Sequence, residues 1–472
     1  MTPSHANEER ALAALLAPDI LALLDEAPGD VAAETEELHP ANLADVAAEL
    51  PPERVPEFLR ALPASRAADV LEYMQEELRT GVFEALTTEQ AAVLVSEMTP
   101  DDRADVLEEM DGERADEILS GISSEARRDT EALLAHAPES AGGLMTTEFV
   151  SVSEDLTVED ALEAVRAVAR AGRREAMYAI YATNREGRLH GVLSLRELLA
   201  APPGAAVADV SWTDVVHVPP TADREEVARI TSKYDLVAVP VVDEATGRIV
   251  GVVTVDDVID AMVEEQTEAV QRLGAVEPLE MPYMQIGFAA MLRKRAGWLC
   301  ILLLGEMLTV SAMGRFASEI ERAVVLAAFL PLIISSGGNS GSQATSLIIR
   351  AMALNEVRLS DWWRVALREL PSGLALGAIL AAIGYFRVIL WQTLGWDDYG
   401  GHATLVGLSI AATLVCVVTL GTLAGSMLPF LLRRAGFDPA SASAPLVATL
   451  LDVTGVTIYF AIAVFILSGT LL

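Results

Sequence analysis

Residues 445–455 read Pro-Leu-Val-Ala-Thr-Leu-Leu-Asp-Val-Thr-Gly and lie inside an apolar stretch that extends from about residue 443 to 468. Such a stretch is long enough to cross the roughly 30 Å hydrocarbon layer of a bilayer, which takes about 20 helical residues. Asp452 stands about ten residues into it, and no Lys or Arg occurs between residues 435 and 472. A carboxylate at membrane depth is costly, so it predicts a functional site in a membrane protein.

Four more stretches are long and apolar enough to span a bilayer. They cover approximately residues 296–314, 322–349, 370–391 and 403–432. Basic residues cluster before the first span, between the second and third, and between the fourth and fifth, whereas the loop 392–402 has two aspartates and no Lys or Arg. By the positive-inside rule, these basic flanks and the N-terminal part face the cytoplasm, which predicts a multi-pass protein of the plasma membrane.

Charge divides the 472-residue chain, whose net charge is −35, into two very different parts. Residues 1–295 contain 58 Asp and Glu against 24 Lys and Arg, whereas residues 296–472 contain 10 against 9. The acidic part repels phosphate backbones and attracts cations, so a nucleic-acid partner is not expected. Cys300 and Cys416 both lie in apolar runs, which excludes a disulfide-stapled secreted scaffold, and the polar residues 1–10 do not resemble a signal peptide.

Two acidic residues lie within the predicted spans, Asp452 and Glu306. At helical spacing Asp452 shares a face with small or polar residues, which favours a transport pathway, although a protonated aspartate that joins two helices is the alternative. That face comprises Ser441, Pro445, Ala448, Asp452, Gly455 and Tyr459. For Glu306, a structural role beside a Thr or Arg partner and a functional role are equally favoured.

The second span contains the run Ser-Ser-Gly-Gly-Asn-Ser-Gly-Ser-Gln at residues 335–343. This composition predicts a break in the helix, whose freed carbonyls, with Asn339 and Gln343, could contact a hydrated cation. The alternative is a packing seam, because Gly337 and Gly341 form a GxxxG pair. Residues 338–341 also match the Gly-x-Ser-Gly signature of intramembrane serine proteases, but the only later His, His402, falls in a loop, so this remote alternative lacks a base.

The N-terminal part contains a helical repeat, because an apolar residue recurs every 12 positions between residues 38 and 122. These residues are Leu38, Leu50, Leu62, Met74, Leu86, Met98, Met110 and Ile122. A period this short predicts one short helix per repeat, stacked into a superhelix.

After a predicted Gly-Gly hinge at residues 142–143, a second repeat of about 60 residues begins, in which Gly187–Ser194 returns as Gly247–Thr254. This pattern resembles a tandem pair of CBS domains, regulatory modules that sense small ligands. Their adenine-nucleotide version carries Ser/Thr-x-x-Asp, which Thr254–Asp257 matches and Ser194–Glu197 does not, so ATP is a weakly supported ligand.

Acids crowd the helix that follows the second CBS copy. Asp257, Asp260, Glu264 and Glu268 share one helical face, with Glu265 beside them. Like charges at this spacing destabilise a helix unless a cation relieves them, although a solvated acidic face is the common alternative.

Three motifs, at residues 139–146, 337–343 and 445–455, together with the order of domains, resemble the MgtE family of magnesium channels over nearly the whole chain. The resemblance implies a multidomain membrane protein that is not an enzyme. It would have an all-α superhelical N-terminal domain (1–137), α/β tandem CBS domains (138–203 and 204–263), a connecting helix (264–292) and a five-helix transmembrane domain (293–472).

The resemblance further implies a homodimer whose pore lies on the two-fold axis between spans two and five, where Asp452 binds Mg²⁺. Asn339 and the Gly338 and Ala448 backbones are candidate outer contacts. Magnesium bound among the soluble domains and the connecting helix would close the pore. The candidate regulatory ligands are Asp257, Asp260, Glu265 and Glu268, with Asp101 and Asp105 as weaker candidates. A CBS-regulated secondary transporter of another divalent cation or solute is the alternative function.

Overall fold

The structure is a computed structural model that describes residues 3–170, 179–279, 283, 286–399, 401–441 and 444–471. The chain divides into two compact units between residues 263 and 264. The first unit holds short helices and two small sheets, and the second holds long apolar helices.

Short helices fill the first half of the N-terminal unit, with one helix for each 12-residue repeat, as the spacing predicts. They are α1 (Pro3–Glu26), α2 (Val31–Glu34), α3 (Pro40–Glu49), α4 (Val55–Ala61), α5 (Ala64–Glu72), α6 (Glu76–Ala85), α7 (Thr88–Glu97), α8 (Pro100–Glu108), α9 (Gly112–Gly121) and α10 (Ser124–Leu133). The recurring apolar residue follows the helix end in extended conformation and is buried, as at Leu50, Leu86 and Met98. Because α3 packs on α5, α5 on α7 and α7 on α9, the repeats stack as a superhelix.

Arginines fasten the repeats to one another. The last carbonyls of a helix have no partner within it, and Arg114 donates to the Leu86 and Phe83 carbonyls at 2.7 and 3.1 Å. Arg66 makes a similar contact four repeats earlier, donating to the Leu38 carbonyl at 2.7 Å, also 28 residues back. These charge-assisted bonds explain why arginines occur inside an otherwise acidic domain.

Two small sheets follow the helical repeats. Their strands are β1 (Val150–Ser153), β2 (Ile180–Thr183), β3 (Leu189–Leu193), β4 (Ala238–Asp243) and β5 (Arg248–Thr254). β1 pairs parallel with β2, whereas β2 with β3 and β4 with β5 are antiparallel. Gly187 and Gly247 turn the two equivalent hairpins at φ 78° and 71°, which confirms the tandem repeat of this region. The accompanying helices are α11 (Val158–Arg170), α12 (Leu195–Ala200), α13 (Val207–Val210) and α14 (Arg224–Tyr234).

The residues predicted as a Gly-Gly hinge form a packed turn instead. The Gly142 N–H donates to the Pro220 carbonyl at 2.9 Å, and a Cβ at Gly143 would lie 2.5 Å from the Ala137 carbonyl oxygen. The glycines are needed for close approach of backbone to backbone, so the prediction of a hinge is wrong. Just beyond the turn, Met145 lies in one core with Ala104 of α8.

Helix α15 (Val255–Leu273) follows β5, and the long apolar helices come after it. They are α16 (Phe288–Arg315), α17 (Ala317–Arg322), α18 (Val324–Ala327), α19 (Leu330–Ala353), α20 (Trp362–Leu394), α21 (Ala403–Arg434) and α22 (Ala444–Leu467). Five segments are long and apolar enough to cross a membrane, namely 288–315, 324–353, 359–394, 403–434 and 444–467. The predicted fold class is confirmed.

Helix α21 is the centre of the second unit and packs against α19, α20 and α22. Small residues permit this, because a Cβ at Gly421 would lie 2.5 Å from the Gly337 carbonyl oxygen and one at Gly377 would lie 2.8 Å from the Val415 Cα.

The Gly- and Ser-rich run at residues 335–343 lies in the unbroken helix α19. The prediction of broken backbone there is wrong, and the chain is interrupted earlier, at residues 328–329. Packing against α21 outweighs the low helix propensity of the glycines, so the packing-seam reading of Gly337 and Gly341 is the correct one.

Candidate functional site

Asp452 of α22 faces a second carboxyl group within the membrane unit. It is half-buried, and its side chain lies within hydrogen-bonding reach of Glu306 on α16. The two helices can approach here because residue 305 is glycine, where any Cβ would overlap the Thr449 side chain. Glu306 thus has an acid within reach rather than the Thr or Arg expected for a structural role.

Two further candidate pore residues meet one turn before Asp452. A Cβ at Gly338 of α19 would lie 3.5 Å from the Ala448 Cβ, so these two backbones are in close contact. Asn339 is exposed, and its amide donates to the Ser335 Oγ at 3.3 Å. Helices α16, α19 and α22 therefore converge around Asp452.

The predicted polar stripe on α22 is exposed only in part. Gly455 and Tyr459 are buried, and the Tyr459 hydroxyl donates to the Leu326 carbonyl at 2.9 Å. This end of the face packs against protein. The other four residues of the face, Ser441, Pro445, Ala448 and Asp452, are half-buried.

In the first unit, carboxylates gather at the N-termini of α8 and α15. Asp101 is only 8% exposed, it accepts a hydrogen bond from Thr146, and its Oδ1 has no hydrogen-bond partner. Asp257 is half-buried and accepts a hydrogen bond from the Thr254 hydroxyl. Helix N-termini favour negative charge, which explains how folded backbone tolerates these acids so close together.

The electrostatics of this group, which we call the α8–α15 acid cluster (Asp101, Asp102, Asp105, Asp256 and Asp257), favour a cation. Burial, followed by the neighbouring Asp101 charge, raises the pKa of Asp257 to about 8. Burial also raises the pKa of Asp101, and burial with the Asp101 charge raises the pKa of Asp102 to about 6. Loss of surrounding water, with the charges of Asp102 and Asp101, raises the pKa of Asp105 to about 7, although this side chain is exposed. Asp101 and Asp257 therefore favour a bound cation most strongly, because solvent screens the charge of Asp105 more.

The other predicted regulatory acids lie farther along α15. Asp260 is exposed, and partial loss of surrounding water raises its pKa, with a contribution from Asp256. In the second unit Glu265 is half-buried, and the Glu268 Oε2 lies 2.8 Å from Arg272.

No three His, Cys, Asp or Glu side chains converge at metal-ligand spacing anywhere in the part of the chain that the structure describes. The acid cluster thus brings carboxylates near one another without forming a complete cage. Mg²⁺ usually retains several water ligands and is held by only one or two carboxylates, so the arrangement of Asp101 and Asp257 fits this ion.

The Ser/Thr-x-x-Asp motif of the CBS pair makes a local contact. Thr254 bonds to Asp257 at the start of α15, and in the first copy Ser194 and Glu197 form a capping box. Glu197 also accepts a hydrogen bond from the Trp212 indole N–H at 2.5 Å. The motif of the first copy thus caps α12, whereas the Thr254–Asp257 contact joins two side chains at the start of α15.

Comparison with known proteins gives the same domain order. Family models match residues 330–462 (divalent cation transporter), 38–139 (MgtE intracellular N domain), and 141–204 and 207–264 (CBS domain). The magnesium transporter MgtE of Thermus thermophilus is 43% identical over 348 residues, which cover 74% of this chain and 74% of the relative. The chain belongs to the MgtE family.

A second relative is less similar to this chain. The magnesium transporter MgtE of Enterococcus faecalis is 35% identical over 340 residues, covering 72% of each chain. Among solved structures, the cytosolic domain of the Mg²⁺ channel MgtE in complex with ATP is 38% identical, with a TM-score of 0.45, and covers 48% of this chain and 91% of that one.

MgtE relatives are named as transporters and the family is not enzymatic, which answers the protease alternative. The structure gives the physical reason, because the buried Ser340 hydroxyl bonds to the Thr422 hydroxyl at 2.7 Å. Ser340 thus joins α19 to α21 and does not act as a nucleophile.

Sequence reasoning missed three members of these sites. Asp102 and Asp256 lie beside acids that were singled out, and the helix-start signals Thr99 and Thr254 could have pointed to them. Thr146 stands in one of the three family motifs, yet only the fold brings it to Asp101.

Proposed function

We propose that this chain forms a Mg²⁺-selective channel of the plasma membrane, and that Mg²⁺ bound to its cytoplasmic acids closes the pore. The observation that carries the proposal is the half-buried Asp452 beside Glu306, where α16, α19 and α22 converge. Family relatives named magnesium transporters support Mg²⁺ as the ion.

The proposed pore binds a hydrated ion. Mg²⁺ gives up water reluctantly, so Asp452 would hold it through its remaining waters, with Asn339 and the Gly338 and Ala448 backbones as outer contacts. In a homodimer with the pore on its two-fold axis, one Asp452 from each chain doubles the negative charge at the site. The bilayer supplies the remaining surroundings of the spans.

The proposed sensor consists of two groups of acids. Asp101, Asp105 and Asp257 belong to the acid cluster, whose buried Asp101 Oδ1 lacks a hydrogen-bond partner. Asp260, Glu265 and Glu268 lie along α15. A divalent cation relieves the repulsion among such carboxylates, and we infer that this gain stabilises the closed channel when cytoplasmic Mg²⁺ is high.

Domain borders at 137/138, 203/204, 263/264 and 292/293 stay predictions, as does ATP binding by the CBS pair. For ATP, Asp257 would have to leave Thr254 and the acid cluster, so competition between ATP and Mg²⁺ is expected. Isothermal titration of ATP with and without Mg²⁺ would measure it.

Purified protein in liposomes tests the proposal. Mg²⁺ influx should follow the electrochemical gradient of Mg²⁺ alone and should fall in Asp452→Asn, whereas Glu319→Gln, at a half-buried acid of α17, serves as the matched control. A secondary transporter would instead need a second ion gradient, and competition between Mg²⁺, Co²⁺ and Ca²⁺ would separate selectivity from mere charge attraction. Influx unchanged in Asp452→Asn would refute the proposed pore site.

A further inference from the structure

Arg272, in the last turn of α15, contacts two carboxylates at once. Its Nη2 lies 2.8 Å from the Glu268 Oε2, one turn earlier in the same helix. Its Nη1 lies 2.5 Å from the Asp438 Oδ2, which is 166 residues farther along the chain. All three residues belong to the second unit. The guanidinium thus links a candidate regulatory ligand to the loop between α21 and α22.

Asp438 is itself built into a tight turn. Its Oδ1 accepts a hydrogen bond from the Ala440 N–H at 2.8 Å, and its carbonyl accepts one from the Ser441 N–H. The turn begins after Gly436, which ends α21 at φ 83°, and α22 begins at residue 444. Asp438 therefore lies in the turn that precedes α22, six residues before the start of the helix that carries Asp452.

Apolar packing surrounds the same junction. Leu273, the residue after Arg272, packs against the buried Ile349 of α19 and Ala440 of the turn. The Ser342 hydroxyl of α19 lies 3.4 Å from the Ala444 carbonyl at the start of α22. The end of α15 thus meets α19 and the turn that precedes α22.

A purely local role does not explain these contacts. An i,i+4 Glu–Arg pair on a helix surface contributes little to stability, and Arg272 would make that pair without Asp438. The second contact instead brings together two segments that are far apart in sequence, and both partners are partly shielded from solvent, with 33% of Arg272 and 37% of Asp438 exposed.

We propose that Arg272 is the positioning residue that couples ion occupancy at Glu268 to the start of α22. Glu268 and Asp438 share the Arg272 guanidinium. When Mg²⁺ binds the Glu268 carboxylate, the guanidinium contacts Asp438 alone, and the turn at Asp438 is fixed in its closed position. This inference rests on the proposed function, because it needs Mg²⁺ to act as the closing ligand.

The test uses the full chain in liposomes and measures Mg²⁺ influx while Mg²⁺ is raised on the cytoplasmic side. In Arg272→Gln and in Asp438→Asn, the half-closing Mg²⁺ concentration should rise about fivefold, a typical coupling between two sites. The double variant Arg272→Asp with Asp438→Arg should return it toward the wild-type value. Arg364→Gln, which breaks the exposed pair with Asp361 at 3.3 Å, is the matched control and should leave it unchanged.

Two measurements distinguish a loss of coupling through Arg272 from misfolding of the variant and from failure of the proposed function. Influx at low Mg²⁺ should stay at the wild-type level in Arg272→Gln, which shows that the variant is folded. Slower hydrogen exchange of α8 in Mg²⁺ should also persist, because the acid cluster is intact. Wild-type closure that persists at the same Mg²⁺ concentration in Arg272→Gln overturns this inference alone, whereas a wild-type channel that never closes overturns it together with the proposed function.

Discussion

Carboxyl groups lie close together in two parts of the chain, and their surroundings differ. In the acid cluster, Asp101 and Asp257 lie at helix N-termini among other aspartates and near water. In the membrane unit, Asp452 and Glu306 face each other between apolar helices. Two neighbouring carboxyl groups are therefore surrounded by other charged side chains in the first unit and by small, uncharged residues in the second.

This difference in surroundings explains how carboxylates could serve both as the proposed Mg²⁺ sensor and as the proposed pore site. In the proposed sensor, several acids of the cluster would share the charge of one bound Mg²⁺ ion. Binding would then respond to the Mg²⁺ concentration and would change the folded arrangement of the cluster. In the proposed pore, Asp452 would attract a hydrated ion without holding it too tightly to leave. The following changes test that division, from the largest expected effect to the smallest.

Removal of the charge at Asp452 should have the largest effect. In Asp452→Asn, Mg²⁺ influx should fall by about tenfold to a hundredfold, because a hydrogen bond from an ion's water to a charged acceptor is worth about 1.5–3 kcal/mol. Mg²⁺ protection of α8 from hydrogen exchange should be unaffected. Loss of that protection would show that the two sites are not separate.

Neutralising the acid cluster should change regulation and leave conduction intact. In Asp101→Asn with Asp257→Asn, the half-closing Mg²⁺ concentration should rise about tenfold, while influx at low Mg²⁺ is unchanged. Asp116→Asn, on the exposed side of α9, is the matched control. Normal closure in the double variant would contradict the assignment of this cluster. The pair Asp257→Asn with Glu268→Gln asks the same question of α15.

Glu306→Gln should have a smaller effect than Asp452→Asn. Glutamine retains a hydrogen-bond donor toward Asp452 but removes the ionisable carboxyl group, so we expect influx to change by about threefold, equivalent to less than about 1 kcal/mol. Dye-reported influx in liposomes measures it. An effect as large as that of Asp452→Asn would mean that Glu306 is an equal ligand of the ion.

The smallest effect should be a dependence of α8 stability on pH without divalent cations. Because the folded pKa values of Asp101, Asp102 and Asp257 are raised above the ordinary value of 3.8, the folded cluster binds more protons than the unfolded chain. Stability is then greatest at low pH and falls as pH rises from about 4 through about 8. Hydrogen exchange of residues 100–108, corrected for intrinsic rates, should quicken over this range.

Mg²⁺ should reverse that quickening, because it replaces the protons lost by the cluster. In Asp101→Asn with Asp257→Asn, both the pH dependence and the Mg²⁺ response should diminish. Exchange that slows as pH rises without Mg²⁺ would contradict the sign of these shifts.

Much of the architecture could be predicted from local patterns. The spans follow from length and apolarity, and the short helices follow from the 12-residue recurrence of residues such as Leu50 and Met98. Asp452 stood out because a charge in an apolar stretch is rare. These features depend on sequence neighbours, which a single sequence displays directly.

Other features depend on helices that meet far apart in sequence. The pairing of Glu306 with Asp452 needs the approach of Gly305 to Thr449, and the contact of Thr146 with Asp101 needs the fold of the first unit. The unbroken α19 was missed for the same reason, since helix propensity at Gly337 was outweighed by packing against α21.

The most direct test is a titration of wild-type Mg²⁺ influx in oriented liposomes, with Mg²⁺ raised from micromolar to millimolar on the side of the N-terminal domains. We expect fast Mg²⁺ influx through the wild-type protein at low Mg²⁺ and nearly complete closure at high Mg²⁺. Influx that stays constant across the titration, or that closes only when Mg²⁺ is raised on the opposite side, would contradict it.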